Sequence, residues 1–314
     1  MRTERLITTA RGTRAEAFGP LEWGVLGAIA LMWGSSFLWI AIGLEAFEPG
    51  LIAFLRIALG AGAVALVPRA RRPVDREDRW RIAFLGLVWM AIPLTLFPVA
   101  QQWIDSSRAG MINGAMPLFA AMFAAVLLRS LPGLRQAAGL AVGFAGVVLV
   151  SLPAAGSSPS QALGVGLVLF ATVLYGLSAN LTVPLQQKYG ALPVVLRAQL
   201  TAAILLLPYG LVSLPGSSFR LSSLLSLIVL GVLSSGLAFV LMATLVGRAG
   251  ATRGALPIYF IPVVATILGV AFRGETVGPL GIAGIVLIIA GAWLASRRER
   301  RRPQDVEPAP LTQA

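Results

Sequence analysis

One segment of this chain is written twice. Residues 108–119 read RAGMINGAMPLF, and residues 248–259 read RAGATRGALPIY, with Arg, Ala, Gly, Gly, Ala and Pro recurring in register. A duplicated unit builds a fold in two related halves, so the repetition decides the architecture before any single residue does. Each copy heads a long apolar run, and its proline, Pro117 or Pro257, falls inside that run. In a water-soluble helix this would be costly, because proline removes one N–H and crowds the carbonyl four residues back. In a membrane helix, neighbouring helices and polar side chains re-satisfy the freed groups. Pro117 and Pro257 are therefore candidate hinges.

The remaining apolar runs share the same scale. They cover approximately 24–44, 51–67, 82–100, 110–128 and 137–152 in the first half, then 164–185, 194–214, 224–246, 254–271 and 278–295 in the second. Each approaches the ~20 residues that cross a bilayer core. The chain is 57% hydrophobic and 12% charged, with a mean hydropathy of +0.84; a soluble domain carries about 25% charged residues. The expected fold is an all-α membrane protein with ten transmembrane helices in two five-helix repeats. Residues 1–152 form the first repeat, 153–163 an outer linker and 164–295 the second repeat; 296–314 form a tail, first basic and then disordered.

Arginine placement sets the orientation, since cytoplasmic loops collect Lys and Arg. With the N-terminus inside, the inner segments hold Arg69, Arg71, Arg72, Arg76, Arg79, Arg81, Arg129, Arg135, Lys188, Arg248, Arg253 and the cluster from Arg297 to Arg302. The outer loops hold only Arg108, Arg220 and Arg273. Both termini are thus predicted on the cytoplasmic side. Because five spans is an odd number, the second repeat enters the membrane upside down relative to the first. The arginine-rich loop PRARRPVDREDRWR accordingly has as its copy SLPGSSFRLSS, nearly stripped of charge. Inverted repeats of this kind are a mark of secondary transporters, whose site lies near mid-membrane between the halves. The net charge of +12 reads as an orientation signal with contacts to lipid headgroups, not as a nucleic-acid surface.

Composition removes whole classes of function. Cysteine and histidine are both absent, which leaves no disulfide, no thiolate or imidazole metal site and no histidine base. The single lysine, Lys188, lies in QQKYG and no GxxxxGK[ST] phosphate loop exists. No catalytic residue, metal or cofactor is expected; the partners are a small-molecule substrate and membrane lipids, in a monomer or homodimer.

WGSSFLWIAIGL in the first span, FLR in the second, the paired RAGxxxGA[ML]P[LI][FY] segments and GETVGPLGIAG opening the last span resemble EamA-like members of the drug/metabolite transporter superfamily. The likeness extends over about residues 24–295. It implies a bacterial inner-membrane carrier of ten helices, with a central cavity lined mainly by spans one, three, four, six, eight and nine. The acidic Glu275 of the second repeat has no counterpart in RSLPGLRQ of the first, so a duplicated role for it is not implied.

Arg56 is the sharpest site candidate. It lies seven residues past Pro49, about 10 Å into the span at 1.5 Å per residue, where a charge costs roughly 2.5 to 3.5 kcal/mol on insertion scales. It either anchors an anionic group of the substrate or snorkels outward and pairs with a carbonyl or Glu48. Trp33 and Ser36 near the middle of span one, and Tyr175 and Asn180 in its second-half counterpart, offer aromatic faces beside hydroxyl and amide groups, which suit a small amphipathic solute. Asn113, Phe119 and Tyr259 flank the repeated Pro motifs. The residues expected to bind substrate are Trp33, Ser36, Arg56, Asn113, Phe119, Tyr175, Asn180 and Tyr259. The acids Glu22, Glu45, Glu48, Asp105 and Glu275 all sit at span ends, so a mid-membrane proton relay lacks its parts. The expectation is a carrier of amino acids or related metabolites, with drugs second, working by alternating access as an exporter. The alternative is a lipid-handling or scaffolding membrane protein.

Overall fold

The structure, a computed structural model, describes residues 9, 20–129, 133–155, 158–249 and 256–296. All four N-terminal arginines, the middle of the second repeat segment and the tail from Arg297 lie outside the described residues. Among the described residues every regular element is helical. In chain order the apolar helices are α1 (Trp23–Gly43), α2 (Pro49–Ala65), α3 (Arg76–Ala100), α4 (Ser106–Leu127), α5 (Leu134–Leu152), α6 (Pro159–Tyr189), α7 (Ala191–Val212), α8 (Leu221–Arg248), α9 (Pro257–Arg273) and α10 (Pro279–Leu294). Seven are long and apolar enough to cross a membrane, while α2, α9 and α10 are shorter. Helical backbone continues to Ala155 and resumes at Pro159, within the stretch 153–163 read as a linker.

Helices are the structure this composition demands, because a chain in hydrocarbon must satisfy every backbone N–H and C=O within itself. The departures from regular helix have local causes. In α4 the regular helix ends at Asn113 and restarts at Met116, with Pro117 in the first turn of the new segment, where a missing N–H costs nothing. Its copy, Pro257, lies in the 3-10 segment Leu256–Phe260 that opens α9. Both repeated prolines therefore sit at breaks. In α3 the turn Leu87–Ala91 widens to π geometry just before Pro93. The proline ring crowds the carbonyl four residues earlier, and the wider turn relieves this. The second π segment, Leu230–Leu237 in α8, contains no proline.

Packing forms two apolar cores, and Trp33 and Tyr175 pack against both. Close backbone approach at glycines positions the site. A Cβ on Gly60 would stand 3.0 Å from the carbonyl oxygen of Gly231 and from Ser235, so this glycine lets α8 press against α2. Arg56 lies one turn earlier on the same face of α2. Ser235 is thereby brought beneath the guanidinium.

Polar clusters close the two ends of the bundle. Where α2 ends, the buried Asp78 carboxylate pairs with Arg81 at 2.8 Å and Lys188 at 2.7 Å and accepts the Tyr189 hydroxyl. The exposed Asp75 carboxylate joins them, and Lys188 and Tyr189 hold it below the usual carboxylate range. Arg197 donates to the loop carbonyls of Ala70 and Arg72. Where α2 begins, Glu45 pairs with Arg220 at 2.7 Å and with Arg273. Beside them Glu275 accepts from the Ser106 N–H (3.0 Å), the Ser106 hydroxyl (2.6 Å) and the Ser107 N–H (2.8 Å). A carboxylate there satisfies free amides at the N-terminus of α4 and complements its dipole.

Candidate functional site

Between the two cores lies a narrow cavity, about 30 Å³ measured to the centres of water-sized molecules. Its wall comes from α1, α2, α3, α4, α6, α8 and the opening turn of α9. Trp33, Trp89, Phe97, Tyr175 and Phe239 give it an aromatic lining. Phe239 meets Trp33 and Trp89 edge-on at centroid distances of 5.1 and 4.9 Å, while Phe97 stacks on Tyr175 at 5.8 Å. These contacts hold the rings as fixed walls, the offset and edge geometries that aromatic quadrupoles prefer.

Arg56 is the charged member of the lining, and it is 2% exposed. Its Nε donates to the Ser235 Oγ at 3.1 Å, and no carboxylate pairs with it among the described residues. Glu48, the alternative partner expected from the sequence, instead donates its backbone N–H to the Ser217 hydroxyl oxygen at 3.0 Å. With Nε committed to Ser235, the end-on edge of the guanidinium, formed by its two Nη groups, remains for a planar anion. The node beneath it is built by the π segment of α8. Trp33 Nε1 donates to the Ser234 carbonyl at 2.9 Å, the Ser234 hydroxyl donates to the Met32 carbonyl at 2.7 Å, and Gln199 donates to the Ser235 carbonyl.

Asn113 supplies a different polar group. It is 5% exposed, lines the same cavity, and its Oδ1 is buried without a hydrogen-bond partner. An orphaned buried carbonyl oxygen costs about 1–3 kcal/mol, and a donor entering the cavity would remove that cost. Ser36 also lines the wall, with its hydroxyl donated to the Trp33 carbonyl at 2.6 Å.

The cavity thus gathers Trp33, Ser36, Arg56, Asn113 and Tyr175. Three other residues selected from the sequence lie away from its wall. Phe119 packs edge-on against Phe144 at 5.3 Å. Asn180 spends its amide on the carbonyls of Ala120 and Gly176, and its Oδ1 accepts from Thr9. Tyr259 donates to the Ala292 carbonyl at 2.7 Å and borders an apolar groove with Trp23 and Trp293. Sequence reasoning missed Trp89, Phe97, Phe239, Gln199 and Ser235. The polar triplet Ser234-Ser235-Gly236 inside an otherwise apolar run was the available signal for the last of these.

Comparison with known proteins places this geometry. Residues 22–152 and 162–297 match the EamA-like transporter family, one match on each half. The chain belongs to that family. This EamA-like protein is a multi-pass membrane protein, and its similar relatives carry transporter names. It is 28% identical over 277 residues to a probable terminal-alkyne amino-acid exporter of Streptantibioticus cattleyicolor, covering 87% of this chain and 92% of that one. It is 24% identical to the uncharacterized inner membrane transporter YedA of Escherichia coli, over 92% and 95% of the two chains. A crystal structure with 20% sequence identity superposes with a TM-score of 0.64 over 88% of this chain and 96% of that one, a likeness in fold alone.

Proposed function

We propose that this protein is a secondary transporter that exports a small organic carboxylate, an amino acid or related metabolite, by alternating access. The observation that carries the reading is Arg56: a buried guanidinium with no carboxylate partner among the described residues, lining a cavity walled by aromatic rings. A charge held this way favours an anionic partner, and the free Nη edge matches a carboxylate in bidentate geometry. The rings then take the apolar part of the solute, and Asn113 Oδ1 takes one donor from it. The name of the Streptantibioticus relative supports an amino-acid-like cargo and the outward direction. Uptake by purified protein in liposomes tests the carboxylate requirement. Apolar amino acids are expected to enter, and their decarboxylated amines to fall at least tenfold behind. Equal flux of the amines would overturn the reading.

The architecture proposed for this work is ten spans in two antiparallel repeats, with α2, α9 and α10 crossing as short helices and Pro117 and Pro257 as hinges. Support comes from the matched family segments, one per half, and from the paired breaks at the two prolines. Both termini lie in the cytoplasm on this reading. The natural chain contains no cysteine, so single substitutions report cleanly. Glu77→Cys is expected to react with a membrane-impermeant maleimide only from the cytoplasmic side, and Ser218→Cys only from the outer side. Labelling of both from one side would refute the inverted arrangement.

A further inference from the structure

The charge inventory of the cavity has a consequence for energy coupling. We infer that the site adds no proton or cation to its cargo, so that each solute crosses with its own net charge: a zwitterionic amino acid moves without net charge, and a related monoanionic carboxylate is driven outward by the membrane potential. This rests on the carboxylate reading of Arg56 given above.

A compensating charge would have to sit on a lining side chain or on a bound cation. Arg56 stays protonated throughout, because a guanidinium does not release its proton in proteins. The lining contains no carboxylate and no imidazole; Asn113 does not titrate, and the phenol of Tyr175 is neutral at physiological pH. A cation site would need several converging oxygen ligands, whereas the one buried lining side-chain oxygen without a hydrogen-bond partner among the described residues is the neutral Asn113 Oδ1. Acidic side chains of the described residues gather at the bundle ends instead. Glu45 is bound to Arg220 and Arg273, Glu275 to Ser106 and Ser107, and Asp78 to Arg81 and Lys188. Asp105 stands beside Glu275. Burial first, then the nearby Glu275, raises its proton affinity against the opposing pull of Arg108, and among the described residues its carboxylate has no hydrogen-bond partner. It borders a separate outer pocket with Ser107 and Arg108, however, not the cavity of Arg56.

One fixed positive charge therefore meets one mobile negative charge, and the negative charge alone is transferred. An interior-negative potential pushes such a solute outward. A zwitterion bound at the same place would move no net charge and feel no such force.

The test uses the full-length protein in liposomes with valinomycin and a tenfold potassium gradient. Labelled N-acetylphenylalanine, which remains a monoanion, is the probe, and phenylalanine is the zwitterionic comparison. The anion is expected to accumulate about tenfold on the positive side and to be depleted about tenfold when the gradient is reversed, whereas phenylalanine distributes evenly. Asp105→Asn is expected to preserve the response. Transport of N-acetylphenylalanine that ignores the potential and follows a pH gradient, or that requires an anion on the far side, would overturn the inference while leaving the Arg56 site standing. Loss of the potential response in Asp105→Asn would also overturn it. If the wild-type protein moves no carboxylate at all, both readings fall.

Discussion

Replacing Arg56 with alanine is expected to lower the initial rate of carboxylate transport at least a hundredfold, while the protein still folds and inserts. Truncating one partner of a buried, hydrogen-bonded charge pair costs about 2–5 kcal/mol, and a hundredfold corresponds to roughly 2.7 kcal/mol. Without cargo the guanidinium has, among the described residues, only Ser235 as a hydrogen-bond partner, so its removal relieves an uncompensated buried charge and the thermal midpoint is expected to stay level or rise. Loss of rate with retained stability is the signature of a binding group rather than a structural one. Arg56→Lys keeps the charge but loses the planar fork, and recovers only part of the activity. Ligand-dependent thermal shifts report the same series independently, because a ligand that binds only the folded state raises its apparent stability. An Arg56→Ala protein that still transported apolar carboxylates at the wild-type rate would remove the anchor from the mechanism.

The second large effect is structural. Gly146→Leu is expected to destabilise the protein by about 3 kcal/mol or more, at the upper end of what overpacking costs, and to lower the thermal midpoint by several degrees. At this position a Cβ would lie 2.7 Å from both the Gly284 carbonyl oxygen and the Ile288 nitrogen. Backbone atoms cannot swing aside as a flexible side chain would, so α5 and α10 must separate. In lipid, helices associate through close van der Waals contact rather than through escape from water, and separation removes much of what joins them. Gly62, whose Cβ would meet nothing within 4 Å, is the matched control and is expected to accept alanine with little change. A Gly146→Leu protein with wild-type thermal stability would show that this crossing is not a critical contact.

Much of the fold was legible because bilayer physics writes it into composition. Apolar runs near twenty residues, charge concentrated in the intervening stretches and a repeated proline segment locate the helices to within about six residues. What escaped the sequence was side-chain aim. Arg56 stood out because a charge in an apolar run is costly wherever it points. Asn180 and Tyr259 carry the same chemistry as Asn113 and Tyr175, but their helices turn them onto neighbouring carbonyls instead of the cavity. Phe119 likewise faces Phe144. One sequence position gives residue type but not rotation about the helix axis, and in a uniformly apolar helix no polar face betrays that rotation. Ser235 was missed for a related reason: its importance comes from a π segment that no proline announces.

That π segment has a consequence for how the second half can be altered. A π turn accommodates one residue more than the α-helix it interrupts, so α8 carries a surplus residue between Leu230 and Leu237. Deleting a single position there would let the helix close into regular geometry while the residues beyond it kept their faces, because the surplus is absorbed within the wide turn. Phe239, Met242 and Val246 would stay on the cavity wall, and what would be lost is the presentation of Ser234 and Ser235 to Trp33 and Arg56. The surplus residue thus serves the seat of the guanidinium and not the aim of the helix beyond it.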